Sequence, residues 1–391
     1  MNELPPPILN QSKSYNSEIS SNIKKERNSN LELYRIIVML LIIAHHYVVN
    51  SGLYALLLES SFSPQSLTML IFGAWGKTGI NCFIYITGYF MCRSNITGKK
   101  LLKLYLQILF YSLVIYGIFC FTGHEPISVI KIIKRFWPVH TINYGFTSCF
   151  LVFYLTIPFL NILIHHLKRK QHLFLILLLL TSYSVLPCLP FIQVSINYVT
   201  WFGVVYIIAA YTRFYNIEKY LTHRQWGLVT IILIILGALS IISIEYLHSI
   251  DKLTSIWNYH FVTDSNKLLS IAIALCSFMY FNGLKIPNSR LINAIGASTF
   301  GVLLIHANSD AMRQWLWRET VDCMGHFGDS ILWTLGYATI CVLIVFIICS
   351  GIDWFRGKYI EPQLLKLAQQ LITKIKNTKS ISILISYFET I

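Results

Sequence analysis

Successive apolar runs of about 17 to 25 residues most constrain how this chain can fold, because a helix needs about 20 apolar residues to cross a bilayer core. The runs are continuous rather than alternating, which excludes transmembrane strands. Charged residues form only 12% of the 391, about half the ~25% typical of soluble domains, so a soluble fold could not bury this much apolar surface. We therefore predict an all-α, polytopic membrane protein with about ten transmembrane helices. The runs lie at roughly 31–50, 67–91, 101–121, 145–165, 172–189, 197–212, 226–246, 268–284, 294–314 and 329–350.

The distribution of lysine and arginine predicts how the helices are oriented. With the N-terminus inside, the inner segments hold 22 of the 31 basic residues and the outer loops hold seven. Because basic residues accumulate in cytoplasmic loops, this ratio predicts that both termini are cytoplasmic and that the number of spans is even. The net charge of +14 is then explained without a nucleic-acid partner.

The two ends of the chain differ from its middle. Residues 1–30 are polar and lack the pattern of a secretory signal peptide, so we predict a disordered cytoplasmic tail. Residues 31–350 are predicted to form the membrane domain. Residues 351–391 are predicted to be a basic cytoplasmic tail whose apolar residues recur at helical spacing, as in an amphipathic helix on the inner leaflet. Segment 127–137 has a similar pattern on the outer side. Nine cysteines are scattered without a CxxC pair, which indicates reduced thiols.

Ionisable side chains inside a membrane span are costly, so each is a candidate functional residue. Arg35 and His46 lie eleven residues apart in the first run, within about 20° of each other around the helix and roughly 16 Å apart along its axis. Arg35 would form an anion site near the cytoplasmic interface, and His46 a proton-transfer group deeper in the membrane. His45 points about 100° away. Structural alternatives are that Arg35 extends to lipid headgroups and that the histidines bond to neighbouring helices.

Two further runs carry candidate residues. In the second run, Lys77 and Asn81 share a helix face, among glycines that permit close packing. In the ninth run, His306 lies near mid-membrane, where it could share a cavity with His46 or serve as a structural histidine. No metal is expected, because the adjacent His45 and His46 diverge by about 100° and cannot easily bind one ion.

Taken together, these stretches resemble the acyltransferase-3 family of integral membrane acyltransferases, which modify cell-surface carbohydrates. The first pattern is an arginine, ten intervening residues and a histidine, here Arg35 and His46. Residues 79–89 read Gly-Ile-Asn-Cys-Phe-Ile-Tyr-Ile-Thr-Gly-Tyr, similar to the family's Gly-Val-Asp-Leu-Phe-Phe-x-x-Ser-Gly-Phe/Tyr, with Asn81 where an aspartate is common. Residues 298–306 resemble a third pattern that runs from a serine to a histidine. In the fourth run, residues 144–161 resemble a fourth, with Gly145 where tryptophan is common.

The resemblance implies a ten-helix enzyme of a bacterial plasma membrane. Such an enzyme transfers an acyl group, most commonly acetyl, from cytoplasmic acetyl-CoA to a hydroxyl of a surface or extracellular polysaccharide or its lipid-linked precursor. The expected partners are acyl-CoA, a glycan acceptor and membrane lipids, with homo-oligomers left open. His46 and His306 are the catalytic candidates, with His46 as general base and either His306 or Lys77 orienting it or stabilising an oxyanion. The candidates for binding donor or substrate are Arg35, Lys77, Asn81, Lys100 and Lys103.

Other functions are compatible with the same residues. A transporter or exporter of a polysaccharide or lipid-linked glycan would also combine many helices with intramembrane charges, although no inverted repeat is visible. A membrane glycosyltransferase would need clustered acidic residues, and only Glu245 and Asp310 lie close to membrane depth. For an acyltransferase, the residues do not distinguish direct transfer from a relay through an acyl-histidine.

Overall fold

The computed structural model describes residues 27–59, 62–142, 145–189, 192, 194–253, 259–328 and 330–376. Over these residues all regular structure is helical, which confirms the predicted all-α class. The tail predicted at residues 1–30 and the end of the tail predicted at 351–391 lie mostly outside the described residues.

The described residues form fifteen α-helices, three of which continue into short π-helical turns. The turns follow α8, α13 and α14 at Thr181–Val185, Trp315–Thr320 and Arg356–Ile360. The helices are α1 Ser29–Val49, α2 Leu53–Glu59, α3 Pro64–Gly73, α4 Gly76–Met91, α5 Gly98–Phe121, α6 Val129–Phe136, α7 Phe146–His166, α8 Arg169–Leu180, α9 Tyr198–Tyr215, α10 His223–Ser249, α11 Leu268–Gly283, α12 Arg290–His306, α13 Asp310–Gln314, α14 Ile331–Phe355 and α15 Glu361–Lys376.

Within the described ranges, six helical segments are long and apolar enough to cross a membrane. They are α1, α3 with α4, α5, α7, α10, and α14 with α15; a seventh forms if α12 and α13, which meet at a 97° bend, are one span. Helices α8, α9 and α11 lie at the other predicted positions, but α8 and α11 are short and the tyrosines of α9 lower its mean hydropathy. The predicted count of ten is therefore not confirmed. The orientation stays a prediction, and "inner" and "outer" below refer to it.

Helix α1 lies at the centre of the bundle and packs against α3, α4, α11, α12 and α14. Val38, Ile43 and Val48 on this helix are almost completely buried. Small residues allow the close approach of its neighbours: a Cβ atom at Gly79 of α4 would lie only 2.7 Å from Cγ1 of Ile42. Because α1 is enclosed on so many sides, the direction of each of its side chains is set by packing.

Two amphipathic helices lie outside this bundle core. The segment predicted at 127–137 contains α6, whose apolar face, including Ile130 and Ile133, is exposed. At the other end of the chain, helical structure runs without a break from Ile331 through the predicted boundary at residue 350 and on to Lys376. The inner end of α14 is therefore part of one long helical segment.

Candidate active site

The imidazole rings of His46 and His306 contact each other, although 260 residues separate them in the chain. Nδ1 of His46 lies 2.9 Å from Nε2 of His306. Nδ1 of His306 lies 2.6 Å from the carbonyl oxygen of Val302, one turn earlier in α12. His306 is completely buried, whereas His46 is partly exposed. The structure thus brings together the two histidines that the sequence singled out as catalytic candidates.

These hydrogen bonds determine the tautomers of the two neutral rings. A carbonyl oxygen only accepts, so Nδ1 of His306 carries a hydrogen and Nε2 of His306 is an acceptor. Nδ1 of His46 must then donate to His306, which leaves Nε2 of His46 without a hydrogen. A histidine held in this way can accept a proton at Nε2 while its other nitrogen stays anchored.

The ends of the helices explain why the two rings meet here. His306 is the last residue of α12, and the 97° bend after it turns α13 across the outer end of the bundle. His46 lies one turn before the end of α1, on a helix that packs directly against α12. Both rings therefore lie at the predicted outer ends of adjacent helices.

His45 and Lys77 approach the same space from other directions. Nδ1 of His45 donates to the carbonyl oxygen of Gly73 at 2.6 Å, because that oxygen can only accept. Nζ of Lys77 donates to the hydroxyl of Tyr198 at 2.6 Å, at the start of α9. His45 and Lys77 are thus held by the protein beside the histidine pair.

His45, His46 and Lys77 line a cavity of about 820 Å³, and His306 lies behind His46. The walls of the cavity are the outer ends of α1, α4, α7, α9 and α12, the middle of α5, helix α13, and residues between 124 and 141 that include part of α6. The sequence predicted only an interfacial helix at 127–137, and this helix together with the residues that flank it contributes a large part of the wall. Five cationic and two carboxylate side chains line the cavity: Lys77, Lys131, Lys134, Arg135 and Arg313, with Glu125 and Asp310.

Three residues of the cavity wall carry a buried polar atom without a hydrogen-bond partner among the described residues. The atoms are Nδ2 of Asn50, Nε of Arg135 and Oδ1 of Asn308. Buried polar groups are almost always paired in folded proteins, so unpaired groups around one cavity indicate a place for a polar ligand. The sequence contained no motif that marks these asparagines.

The structure places Arg35 and Lys100 away from this cavity, on the inner side. Nη1 of Arg35 lies 3.3 Å from Oε1 of Glu32, and Nη1 of Arg27 lies 3.2 Å from the same oxygen. Nζ of Lys100 donates to the carbonyl oxygen of Asn95 at 3.1 Å and is exposed. Their roles in binding the acyl donor stay predictions.

The remaining two predicted binding residues also lie outside the cavity lining. Nζ of Lys103 lies 2.6 Å from Oε1 of Glu361. Asn81 is completely buried, and its amide donates to the carbonyl oxygen of Ser265 at 2.6 Å and accepts from Nε1 of Trp201 at 2.8 Å. These contacts tie α4 to α9 and to the segment before α11. Asn81 and Lys103 thus connect helices in this structure, and binding by either stays a prediction.

A second cluster of buried charges lies at the inner end of α14, in residues that the sequence assigned to the tail. Oδ1 of Asp353 accepts from Nε of Arg356 and the hydroxyl of Tyr111, both at 2.9 Å, and from Nε2 of Gln107 at 3.2 Å. Nη1 of Arg356 donates to Oε2 of Glu361 at 2.8 Å. Hydropathy missed this cluster because the apolar run ends just before it; the only sequence signal is the spacing of Asp353 and Arg356, three residues apart.

The fold and the histidine pair define a multi-pass membrane protein with an anchored proton acceptor at a polar cavity. The chain belongs to the acyltransferase-3 family, because the family model, described as an acyltransferase domain, matches residues 28–354. No curated protein and no solved structure matches the chain. The predicted family is confirmed, and the protein is a membrane acyltransferase.

Proposed function

We propose that the protein transfers an acyl group, most commonly acetyl, from acyl-CoA to a hydroxyl of a surface or extracellular polysaccharide or its lipid-linked precursor, at a bacterial plasma membrane. The observation that carries the proposal is the chain of hydrogen bonds from His46 through His306 to the carbonyl oxygen of Val302. It leaves Nε2 of His46 as a proton acceptor at a cavity large enough for a saccharide.

The chemistry of the transfer requires a base and no further activation of the donor, because a thioester is already reactive. Nε2 of His46 takes the proton of the acceptor hydroxyl as its oxygen attacks the thioester carbonyl carbon. The carbon–sulfur bond then breaks, and the proton on His46 passes to the sulfur, giving the ester and CoA thiol. A positioned general base contributes about 10²–10⁴-fold to such a reaction.

His306 supports this role without reacting itself. Its Nε2 accepts the Nδ1 hydrogen of His46 in both the neutral and the protonated form of His46. The anchor therefore keeps the ring in the same orientation and the same tautomer through the proton transfer. The complete burial of His306 excludes water from this hydrogen bond.

The polar lining of the cavity supports a hydroxyl-rich acceptor. Asn50 and Asn308 each hold one unpaired buried polar atom, an NH₂ donor and a carbonyl acceptor. A saccharide hydroxyl both donates and accepts, so it can pair with either group after a small rotation of the asparagine side chain. A site that contains such groups also discriminates against ligands that leave them unpaired.

The acyl donor is proposed to bind from the inner side, where Arg35 and Lys100 lie. Guanidinium groups suit the phosphates of CoA. The acyl group reaches His46 either on the pantetheine arm or as an acyl-histidine formed when Nε2 attacks the thioester and CoA leaves. Incubation with labelled acetyl-CoA in the absence of acceptor distinguishes these routes, because only the relay leaves label on the protein.

The proposal is tested in proteoliposomes supplied with labelled acetyl-CoA and cell-envelope glycan. His46→Ala should lower transfer at least 100-fold, because the base is removed. The matched control is His166→Ala, an exposed histidine at the end of α7, which should transfer label like the wild type. Full transfer by His46→Ala contradicts the assignment. Movement of glycan across the membrane without ester formation would favour the exporter interpretation.

A further inference from the structure

We infer that the cavity selects an acceptor saccharide that carries a negatively charged group, a carboxylate or a phosphate, close to the reacting hydroxyl. This inference rests on the proposed function and specifies the acceptor of the same site.

The cavity wall carries an excess of positive charge. Five lysine and arginine side chains face two carboxylates, which leaves three positive charges without a matching acid in the lining. A cavity of one sign, next to low-dielectric walls, concentrates ligands of the opposite sign. A neutral saccharide would not compensate for the excess positive charge of the lining.

The two carboxylates are already paired with part of the basic set. Glu125 lies 2.9 Å from Nζ of Lys131 and 3.8 Å from Nη2 of Arg135. Asp310 pairs with Arg313 one turn later in α13. The acids therefore serve to position these cations in the wall, and they do not neutralise the remaining charges.

Two lysines of the lining have no carboxylate oxygen within 4.0 Å among the described residues. Nζ of Lys77 is held by the neutral hydroxyl of Tyr198 and lies 5.3 Å from the centre of its ring. Lys134 is exposed on α6, on the side opposite its apolar face. Among the described cations of the lining, Lys77 and Lys134 are the two ammonium groups without a carboxylate in direct contact, and an anionic ligand can contact them.

Arg135 adds a positioned guanidinium to the same wall. Its Nη1 donates to the backbone oxygen and the hydroxyl of Ser112, at 3.1 and 3.3 Å, and its guanidinium lies 4.3 Å from the ring centre of Tyr116. Its Nε has no partner among the described residues. Burial lowers the pKa of Arg135 below its usual value, but an arginine still carries its charge at neutral pH. The chain thus holds a desolvated cation beside the cavity at a cost that an anionic ligand offsets.

The reaction itself favours an anion at this position. Lys77 and Arg313 line the same cavity as His46. When His46 accepts a proton it becomes a third positive charge in the group, and the repulsion opposes the transfer. A negatively charged group on the acceptor compensates for this charge as it develops, so an acidic acceptor should raise kcat as well as lower KM.

The test uses the full-length protein in nanodiscs of phosphatidylcholine. The ligands are two tetrasaccharides, the uncharged maltotetraose and the acidic tetragalacturonate. Wild-type protein should bind tetragalacturonate at least tenfold more tightly than maltotetraose, and the difference should shrink as salt is raised. Lys134→Gln should weaken tetragalacturonate binding about tenfold, because one charge-assisted contact is lost. Lys252→Gln, an exposed lysine after α10 and outside the cavity, is the matched control and should bind like the wild type.

Competition with small anions then shows whether the charged group of the acceptor is a carboxylate or a phosphate. Displacement of tetragalacturonate by glucuronate at lower concentration than by pyrophosphate indicates a carboxylate-bearing acceptor, and the reverse indicates a phosphate-bearing one. Equal binding of the two tetrasaccharides, or no effect of Lys134→Gln, overturns the inference. Displacement by acetyl-CoA at lower concentration than by either small anion also overturns it, because the cavity would then belong to the donor. Binding does not require transfer, so these outcomes are independent of the label-transfer test of His46.

Discussion

The molecule contains two groups of buried or half-buried charges that differ in how completely they are paired. At the inner end of α14, Asp353 and Arg356 are buried, and neither they nor Glu361 contributes a buried polar atom without a partner. At the outer end of α1, Asn50 and Arg135 line a cavity and do contribute such atoms. A completely paired cluster has no capacity left for a ligand, whereas an incompletely paired one does. The inner cluster therefore has a structural role and the outer one is the candidate ligand site, although both combine costly residues.

Packing also differs between the two regions: it is tight around the paired cluster and open around the incompletely paired one. In the middle of α12, Gly296 and Gly301 allow the carboxylates of Glu32 and Asp353 to lie directly against the helix backbone. On the outer side, the same helix ends at His306 and opens onto the 820 Å³ cavity. The middle of α12 is therefore fixed by close contacts, and the helix holds His306 at its outer end.

The largest effect on turnover is expected from a substitution of His306, which leaves the proposed base His46 in place. His306→Ala removes the acceptor for Nδ1 of His46, so His46 loses its fixed tautomer, and kcat should fall on the order of 100-fold. His45→Ala is the control, because His45 lines the same cavity but bonds to Gly73. Turnover per folded molecule is measured, and equal losses in the two variants would show that the contact with His46 has no special role.

In the inner cluster, a large effect on the free energy of unfolding is expected from a substitution of Asp353. Asp353→Ala leaves Arg356 buried without its main counter-ion and should lower the free energy of unfolding by about 3–5 kcal/mol. Asp353→Asn keeps one acceptor oxygen for the hydroxyl of Tyr111 and should lose less. Unfolding in detergent is followed by tryptophan fluorescence, together with the specific activity of the folded fraction. A loss of turnover without a loss of stability would place Asp353 in the functional site and remove the distinction between the two regions.

A smaller effect is expected at the contact between α12 and α14. A Cβ atom at Gly301 would collide with the side chain of Asp353, so Gly301→Ala should destabilise the protein by about 1–3 kcal/mol. Gly351→Ala, in α14, meets open space and should leave stability unchanged or raise it by about 0.5–1 kcal/mol. The two variants are compared by unfolding under the same conditions. Equal stability would mean that the contact between Gly301 of α12 and Asp353 of α14 is less close than described.

The smallest effect is expected at Arg35, and it tests the donor site predicted from sequence. Arg35→Ala should raise KM for acetyl-CoA about tenfold if the guanidinium binds a CoA phosphate. Arg27→Ala is a close control, because Arg27 pairs with the same carboxylate of Glu32. Steady-state kinetics with acetyl-CoA as the varied substrate would distinguish the cases. The same KM in both variants would show that Arg35 serves only as a counter-ion to Glu32.

The sequence by itself determined the features that depend on local pattern. The length of the apolar runs indicated helices at all ten predicted positions, and helical spacing identified α6 as amphipathic. The free-energy cost of an ionisable group inside a span identified His46, Lys77 and His306 as candidates. His46 and Lys77 line the cavity, and His306 contacts His46. The order of the motifs was sufficient to place the chain in its family.

Only the tertiary structure decided which of these residues meet. The hydrogen bond between His46 and His306 joins residues 260 apart, and no periodicity encodes which helices become neighbours. Hydropathy placed Asp353 in a tail, and motif position placed Asn81 among the binding candidates. Neither signal contains information about a hydrogen-bond partner on another helix. Local pattern determines what a helix is and which face is apolar. The pairing of faces depends on the packing of the whole bundle, and that packing decided where a charge is satisfied and where it is left for a ligand.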